Sequence, residues 1–156
     1  MKRHESIVAL SREHHFGLLF CWKIRQGIKN QVPAERILPY IAYFWKQHLK
    51  SHFDEEETLL FAPLKDDLVA QAIGEHRHIR SLVETLSQGN ENPTPDSLLS
   101  LADAVDNHIR FEERTLFPHI EKALPEDQLA VMGEKIQQLH QVQKKDDYAD
   151  EFWVKT

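Results

Sequence analysis

Residues 52–61 read HFDEEETLLF and residues 108–117 read HIRFEERTLF, so the pattern HxxxEExxL occurs twice, 56 residues apart. Residues i and i+4 of an α-helix lie about one turn apart on nearly the same face, so each copy directs an imidazole and a carboxylate the same way. A shorter repeat, Glu-His, precedes each copy at 13–14 and at 75–76, 62 residues apart. The order EH, HxxxEE, EH, HxxxEE predicts a chain of two similar halves.

The periodicity of the apolar residues indicates helices throughout. Leu, Ile, Phe and Trp recur at three- and four-residue spacing, the chain has only five Gly, and alternating β-branched runs do not occur. We therefore predict an all-α fold. Breaking and capping residues place the helices at about 5–30, from Pro33 or Pro39 to Pro63, from Asp66 to about Gly89, from Thr94 through Leu116, and from Pro125 to about Gln143.

Four long helices with short links predict an up-down-up-down four-helix bundle with an additional C-terminal helix. Residues 1–144 are predicted to form this unit, and residues 145–156 an acidic, aromatic tail. We expect the fifth helix and the tail to pack outside the bundle.

Both HxxxE pairs fall where the apolar stripe of their helix should face the core, and the two EH histidines replace stripe positions four residues after Leu10 and Ala72. Two buried carboxylates without compensation would each cost several kcal/mol of desolvation free energy and would repel each other. Two divalent metal ions, bridged by the carboxylates and capped by imidazoles, would compensate both charges. The candidate ligands are His14, His52, Glu56, His76, His108 and Glu112.

Three further side chains are candidates for the surroundings of this centre: His48, His15 and Arg80. His48 lies one turn before His52 and is either a further ligand, a partner of a ligand, or a packed core imidazole. His15 lies about 100° round the helix from His14, and His14 is the favoured ligand because Leu10 and Leu18 bracket it at four-residue steps. Arg80 lies one turn after the second EH and is within reach of the carboxylates. The other four histidines, His4, His78, His119 and His140, are predicted to be exposed or to lie beside loops.

Gly17 removes a side chain about one turn beyond His14. This predicts either a small ligand pocket next to the centre or a close contact between helices. The predicted pocket is lined by Gly17, Leu18, Cys21, Phe53 and Ile79.

The order of these motifs resembles the hemerythrin-like (HHE cation-binding) family over about residues 5 to 122. The resemblance implies a four-helix bundle with a non-haem di-iron centre, in which two Fe ions share an oxo or hydroxo bridge and the six candidate residues are the ligands. Zn or Mn are possible substitutes, because these ligand types suit several metals. The chain departs from oxygen-carrying hemerythrins at Arg80, where they have a further His, and at Glu112, where they have an Asp one residue later.

A centre with two Fe(II) ions and two carboxylates keeps a charge of about +2, which favours binding dioxygen, nitric oxide or peroxide over oxygenating a hydrocarbon. The leading hypothesis is a protein that binds or senses such a molecule, rather than a catalyst. Two alternatives remain: a redox enzyme that consumes peroxide or nitric oxide, and a protein that stores or handles iron.

Composition limits the partners. The net charge is −6 and no segment concentrates Lys and Arg, so we expect no nucleic-acid partner. The longest apolar stretch, 37–45, is too short to span a membrane and contains Pro39, so we expect a soluble, cytoplasmic protein. The single cysteine, Cys21, excludes an intrachain disulfide. A sensing role requires a separate protein partner, for which the tail is the candidate surface, and the fifth helix is a candidate homodimer interface.

Overall fold

The computed structural model describes residues 3–89, 92–140 and 145–155. Its α-helices are α1 (Val8–Lys29), α2 (Ala34–Phe44), α3 (Lys50–Glu55), α4 (Asp67–Ser87), α5 (Pro95–Phe111), α6 (Phe117–Ala123) and α7 (Glu126–Leu139). Three π-helical segments are inserted between them: π1 (Trp45–Leu49), π2 (Glu56–Leu60) and π3 (Glu112–Leu116). These ranges contain no strand, and none of their helices is long and apolar enough to cross a bilayer. The all-α prediction is confirmed for the described residues.

The π segments join their neighbours into continuous helices, so residues 34–60 and 95–123 each form one long helix interrupted only by wider turns. Together with α1 and α4 they are the four long helices. The first of the two starts after Pro33, which leaves Pro39 inside α2 rather than at its start. The predicted end of the fifth helix at Gln143 lies outside the described residues, and the described part of α7 ends at Leu139.

Two of the predicted helix starts have side-chain caps. Asp66 accepts a hydrogen bond from the backbone N–H of Val69 at 3.0 Å and so begins α4. Thr94 and Ser97 form a reciprocal capping box at the start of α5, and Pro95 occupies the first turn, where its missing N–H has no cost. Local capping therefore sets where both helices of the second half begin.

The four long helices bury two separate apolar clusters. The first cluster includes Cys21, Phe53, Ile79 and Ile109. The second includes Leu10, Leu60, Ala72 and Leu116. Each long helix contributes to both clusters, and in each helix one buried histidine or glutamate lies between them in sequence: His14, Glu56, His76 and Glu112. The result is a polar layer enclosed by apolar side chains above and below.

Residues 145–155 return to the first apolar cluster. Phe152 is 0% exposed and its ring lies 5.4 Å from that of Tyr40. Asp146 accepts hydrogen bonds from the buried Lys23 Nζ at 3.0 Å and from the Tyr40 hydroxyl at 2.7 Å. The prediction that the tail packs outside the bundle is therefore wrong at Phe152, because an aromatic side chain of this size completes the core. The predicted boundary at residue 144 lies outside the described residues.

Candidate metal centre

The four long helices bring the six candidate ligands together in the polar layer. Glu56 and Glu112 are 0% exposed, and the four histidines are at most 4% exposed. Their potential ligand atoms form two groups, each with all its atoms within 4.8 Å of one another: His14, His52, Glu56 and Glu112 in one, and Glu56, His76, His108 and Glu112 in the other. Both carboxylates thus belong to both groups.

Each histidine directs its Nε2 atom toward a shared carboxylate. The His14 Nε2 lies 2.9 Å from Glu112 Oε1, and the His76 Nε2 lies 3.1 Å from Glu56 Oε1. The other two histidines each contact the glutamate four residues later on the same helix. The His52 Nε2 lies 3.3 Å from Glu56 Oε2, and the His108 Nε2 lies 3.3 Å from Glu112 Oε1. The donor atoms of both groups therefore face one small shared volume.

Six of these atoms are buried and lack a hydrogen bond of good geometry. They are the Nε2 atoms of His52, His76 and His108, both oxygens of Glu56, and the Oε2 of Glu112. Buried polar atoms are almost always paired, so this concentration requires a specific cause. Imidazole nitrogens and carboxylate oxygens are ligands of divalent metal ions, and cations bound in the two groups would satisfy all six atoms. The residues present fit a metal centre.

The opposite ring nitrogen of each histidine is held by a further glutamate. The four Nδ1 contacts are His14 to Glu113 at 3.0 Å, His52 to Glu13 at 3.0 Å, His76 to Glu57 at 2.8 Å, and His108 to Glu75 at 2.7 Å. A carboxylate that accepts the Nδ1 proton fixes the ring orientation, leaves Nε2 for a metal, and makes the imidazole a stronger ligand.

Sequence reasoning missed the role of these four glutamates, although the signal was present in the repeat itself. The Glu of each EH doublet binds the histidine of the next HxxxEE copy, as in Glu13 with His52. The second Glu of each EE doublet binds the histidine of an EH doublet, as in Glu57 with His76. The other two contacts repeat both relationships in the other half, so the sequence repeat is also a repeat of hydrogen bonds.

The carboxylates raise the pKa values of buried histidines, although burial alone would lower them. Burial alone disfavours a protonated imidazole, but contacts with Glu112, Glu56 and Glu57 outweigh it and raise the pKa of His76 to about 11. The pKa of His108 is raised to about 9, because Glu112 and Glu75 outweigh the burial of its ring. Burial likewise opposes the charge of Glu112, yet the surrounding histidines hold its pKa well below the usual value. A cation that binds here must displace protons.

A comparison of the sequence with protein-family models gives a match over residues 5–120 to the hemerythrin HHE cation-binding domain. The chain belongs to this family. The match includes all six candidate ligands and the four glutamates behind them. Searches of curated proteins and of solved structures gave no significant match.

Glu56 and Glu112 occupy the same special position in this hemerythrin-family chain, since each is the first residue of a π-helical segment. The backbone N–H of Phe61 donates to the carbonyl of Glu56 at 2.8 Å, five residues back instead of four. Wider turns of this kind occur often at functional sites. The sequence predicted uninterrupted helices here, because a π turn requires no characteristic residue.

His48 is buried inside π1 but belongs to neither group of candidate ligands. Its ring stacks on that of Phe44 at 5.0 Å and on that of Phe16 at 5.9 Å. Of the interpretations left open by the sequence, this placement favours a packed imidazole beside the centre.

The structure does not bring His15 or Arg80 into the centre. His15 is exposed, with its ring 5.8 Å from that of Phe16. Arg80 is also exposed, and its guanidinium lies 5.6 Å over the ring of Trp45. The prediction that Arg80 reaches the buried carboxylates is wrong, because its stacking on Trp45 keeps it at the surface. Its charge helps to lower the pKa of Glu57, which is lowered chiefly by the hydrogen bond from His76.

The other four histidines lie away from the two groups. His78 is exposed, whereas His4, His119 and His140 are half-buried against carboxylates. The His140 Nε2 lies 2.6 Å from Glu55 Oε2 and 3.6 Å from Glu13 Oε1, so this ring stands just behind a glutamate that orients His52.

A cavity of about 20 Å³ borders the centre. It is lined by Glu13, His14, Phe16, Gly17, Phe44, His48, Leu49, His52, Phe53, Val105, His108 and Ile109. Gly17 and Phe53 of the predicted pocket are among these residues. Leu18, Cys21 and Ile79 are not: Leu18 is 40% exposed, and the other two lie in the first apolar cluster.

Gly17 lies both beside the cavity and at a close contact between two helices. Gly17 lines the cavity, and a Cβ atom placed on it would lie 2.6 Å from Ile109 Cδ1. Its missing side chain therefore allows α1 and α5 to approach closely and also leaves space beside the centre.

Proposed function

We propose that this chain is a non-haem di-iron protein that binds dioxygen or a related small molecule, nitric oxide or peroxide. The observation that carries the proposal is that the two groups of candidate ligands share Glu56 and Glu112. One ion in each group would have two imidazoles of its own and two bridging carboxylates. The family match supports a cation in this position, and the mixture of nitrogen and oxygen ligands suits iron.

Iron bound in this way would supply an open position and a source of electrons for a small ligand. The residues of the chain orient the ligands and control the access of water. Glu13, Glu57, Glu75 and Glu113 hold the imidazoles in orientation, and the apolar clusters keep bulk water from the polar layer.

Glu13, Glu57, Glu75 and Glu113, which contact the Nδ1 atoms, are called the outer glutamates below. They change the estimate of the net charge of the centre that was made from the sequence. The count of about +2 for two Fe(II) ions and two carboxylates leaves out four carboxylates that lie one imidazole away. These are 20–38% exposed, so solvent screens part of their charge. Charge therefore no longer decides between binding a small molecule and oxygenating a hydrocarbon.

The size and lining of the cavity favour a small ligand. Its volume of about 20 Å³ only slightly exceeds the ~10–15 Å³ needed to hold one water molecule. Apart from Glu13 and the histidines, its lining is apolar: Phe16, Gly17, Phe44, Leu49, Phe53, Val105 and Ile109. A diatomic molecule or peroxide fits this space.

We also infer the up-down-up-down order of the four long helices. In α1 and α4 the second apolar cluster precedes the first along the chain, as Leu10 precedes Cys21. In residues 34–60 and 95–123 the order is reversed, as Phe53 precedes Leu60. Contacts of α5 with both α1 and α4, and of α2 with both α1 and α4, are those expected of such a bundle.

The first test is the metal content of the chain purified without chelator or an affinity metal, with optical spectra in air and after anaerobic reduction. We expect two irons per chain and charge-transfer bands that bleach on reduction and return with dioxygen. The matched control is His78→Gln, an exposed histidine on the same helix as His76, which should leave both unchanged. Zinc alone, or no metal, would contradict the proposal. Iron that is readily lost and forms no gas adduct would instead indicate iron handling.

A further inference from the structure

Two cavities approach each other beside the metal centre. One is the cavity of about 20 Å³ that borders the candidate ligands. The other is a surface groove of about 860 Å³ between α1 and α7. Glu13, Phe16 and His48 line both. These three side chains therefore form the wall that the groove and the cavity share.

Two of the three side chains are fixed. Glu13 forms the 3.0 Å contact with His52 and lies 3.6 Å from the His140 Nε2. His48 is 6% exposed and stacks on the buried Phe44. Phe16 is half-buried, packs against the first apolar cluster, and has its ring 5.9 Å from that of His48 and 5.8 Å from that of the exposed His15. Its phenyl ring has no polar atom, so no hydrogen bond or ion pair holds it, and we expect Phe16 to be the one of the three that changes rotamer.

We propose that Phe16 is a gate through which small uncharged ligands pass between the groove and the cavity beside the metal centre. The proposal rests on the proposed function, because it assigns the route by which that ligand reaches the centre. The gate opens by rotation of the Phe16 ring away from His48. An aromatic ring facing an apolar cavity admits dioxygen or nitric oxide and opposes the passage of a hydrated ion, which would lose its water without replacement.

The outer wall of the groove belongs to α7, which lies beyond the residues matched by the family. Gly133 and Ile136 of α7 line the groove, and a Cβ atom on Gly133 would lie 2.6 Å from Ser6 Oγ. This close contact fixes α7 against the segment that precedes α1. The route is therefore built from the family's helices on one side and from the additional helix on the other.

A gate has a kinetic signature that a binding residue lacks. A lower barrier between groove and cavity increases the rates of association and dissociation by the same factor, so the dissociation constant does not change. Loss of a contact with the bound ligand would instead increase the dissociation rate alone and weaken binding.

The test is stopped-flow binding of nitric oxide to the Fe(II)-loaded full chain and to Phe16→Ala, Phe16→Leu and Phe16→Trp. We expect Phe16→Ala to increase both rates about tenfold or more, the effect of a barrier lowered by about 1.4 kcal/mol. Phe16→Leu should have a smaller effect, and Phe16→Trp should slow both rates. The control is Leu18→Ala, on the same helix, 40% exposed and outside both linings. Unchanged rates in the Leu and Trp variants, or a changed dissociation constant, would overturn the gate.

A second measurement separates failure of the gate from failure of the proposed function. If wild type binds no nitric oxide, dioxygen or peroxide, the proposed function fails, and the exchange of xenon with the cavity still tests the gate. Saturation-transfer ¹²⁹Xe NMR on the Zn-loaded full chain should show faster exchange in Phe16→Leu and slower exchange in Phe16→Trp. Equal exchange rates in all three proteins would show that ligands reach the cavity by another route.

Discussion

The Nδ1 atom of His52 donates a hydrogen bond to Glu13 at 3.0 Å, and its other ring nitrogen faces the shared carboxylate of Glu56 at 3.3 Å. The other three buried histidines of the centre have the same arrangement, with an outer glutamate on Nδ1 and a shared carboxylate near Nε2. An imidazole held by a carboxylate at Nδ1 has its metal-binding Nε2 atom oriented before any ion arrives. The preorganisation of the centre therefore depends on glutamates that are not themselves candidate ligands.

The first prediction is that loss of an outer glutamate weakens metal binding. Glu75→Ala should reduce the metal affinity by about 10- to 100-fold, because His108 loses the carboxylate that orients it. Glu75→Gln retains an acceptor for the Nδ1 proton and should lie at the lower end of this range. Competition with a chromogenic chelator measures the affinity. Glu84→Gln, an exposed glutamate on the same helix, should match wild type, and an unchanged affinity in Glu75→Ala would refute the role of the outer glutamates.

Substitution by alanine should have opposite effects on the stability of the protein at two glycines. Gly17→Ala places a Cβ atom against Ile109, and the displacement of that side chain should destabilise the protein by about 1–3 kcal/mol. The higher helix propensity of Ala offsets ~1 kcal/mol of this cost, so the net effect should be destabilising. Gly74 lies in α4, and a Cβ atom placed on it would have no neighbour within 4 Å, so Gly74→Ala should stabilise the protein by about 0.4–1 kcal/mol. Urea unfolding measures both. Equal stabilisation by the two substitutions would show that Gly17 has no packing role.

Much of the centre could be predicted because its residues follow the helical period. His52 and Glu56 are four residues apart on one helix, and local geometry alone brings them together. Because the EH and HxxxEE motifs each occur twice, the sequence also predicted ligands on the other three long helices. The same regularity placed the helix starts at Thr94 and Asp66, since capping depends on neighbours in sequence.

The features that the sequence did not predict depend on contacts between distant segments. The bond from His14 to Glu113 joins residues 99 positions apart, and the repeat marks Glu113 without showing which histidine it contacts. The position of Arg80 was decided by stacking on Trp45 in another helix. Phe152 fills the core from the far end of the chain, which its position in an acidic tail did not suggest.

A pH-dependent contribution to stability is expected at the start of α4. Hydrogen bonds from His119 and from the Val69 backbone hold the pKa of Asp66 below its usual value of 3.8. A lowered pKa in the folded state stabilises the fold above pH 3.8, and this contribution is lost as the pH falls through the folded-state value. Asp66→Ala should therefore cost about 1 kcal/mol at pH 7 and progressively less below about pH 4.

Unfolding in urea at several pH values measures this difference. Asp66→Asn is the matched variant, because an Asn side chain also caps a helix but does not titrate in this range. A cost of Asp66→Ala that is the same at pH 7 and pH 3 would show that the carboxylate charge has no part in the cap.

The tail, residues 145–155, should contribute to the free energy of unfolding as a core segment does. Phe152 is fully buried against Tyr40 and Gly27, so Phe152→Ala should destabilise the protein by about 3–5 kcal/mol. Val154, two residues later, is 51% exposed, and Val154→Ala should change the stability by less than about 0.5 kcal/mol. Thermal and urea unfolding compare the two. Similar small effects from both would mean that the tail is not required for the stability of the fold.

The shared carboxylates predict an asymmetry among substitutions at the centre. Glu56 and Glu112 each belong to both groups of candidate ligands, whereas His14 and His76 each belong to one. Glu112→Ala should therefore weaken the binding of both ions, and His14→Ala should weaken one while the other group retains its four candidate ligands. Metal titration followed by elemental analysis should give a stoichiometry near one for His14→Ala and below one for Glu112→Ala. Equal losses from both substitutions would show that the two groups do not bind separate ions.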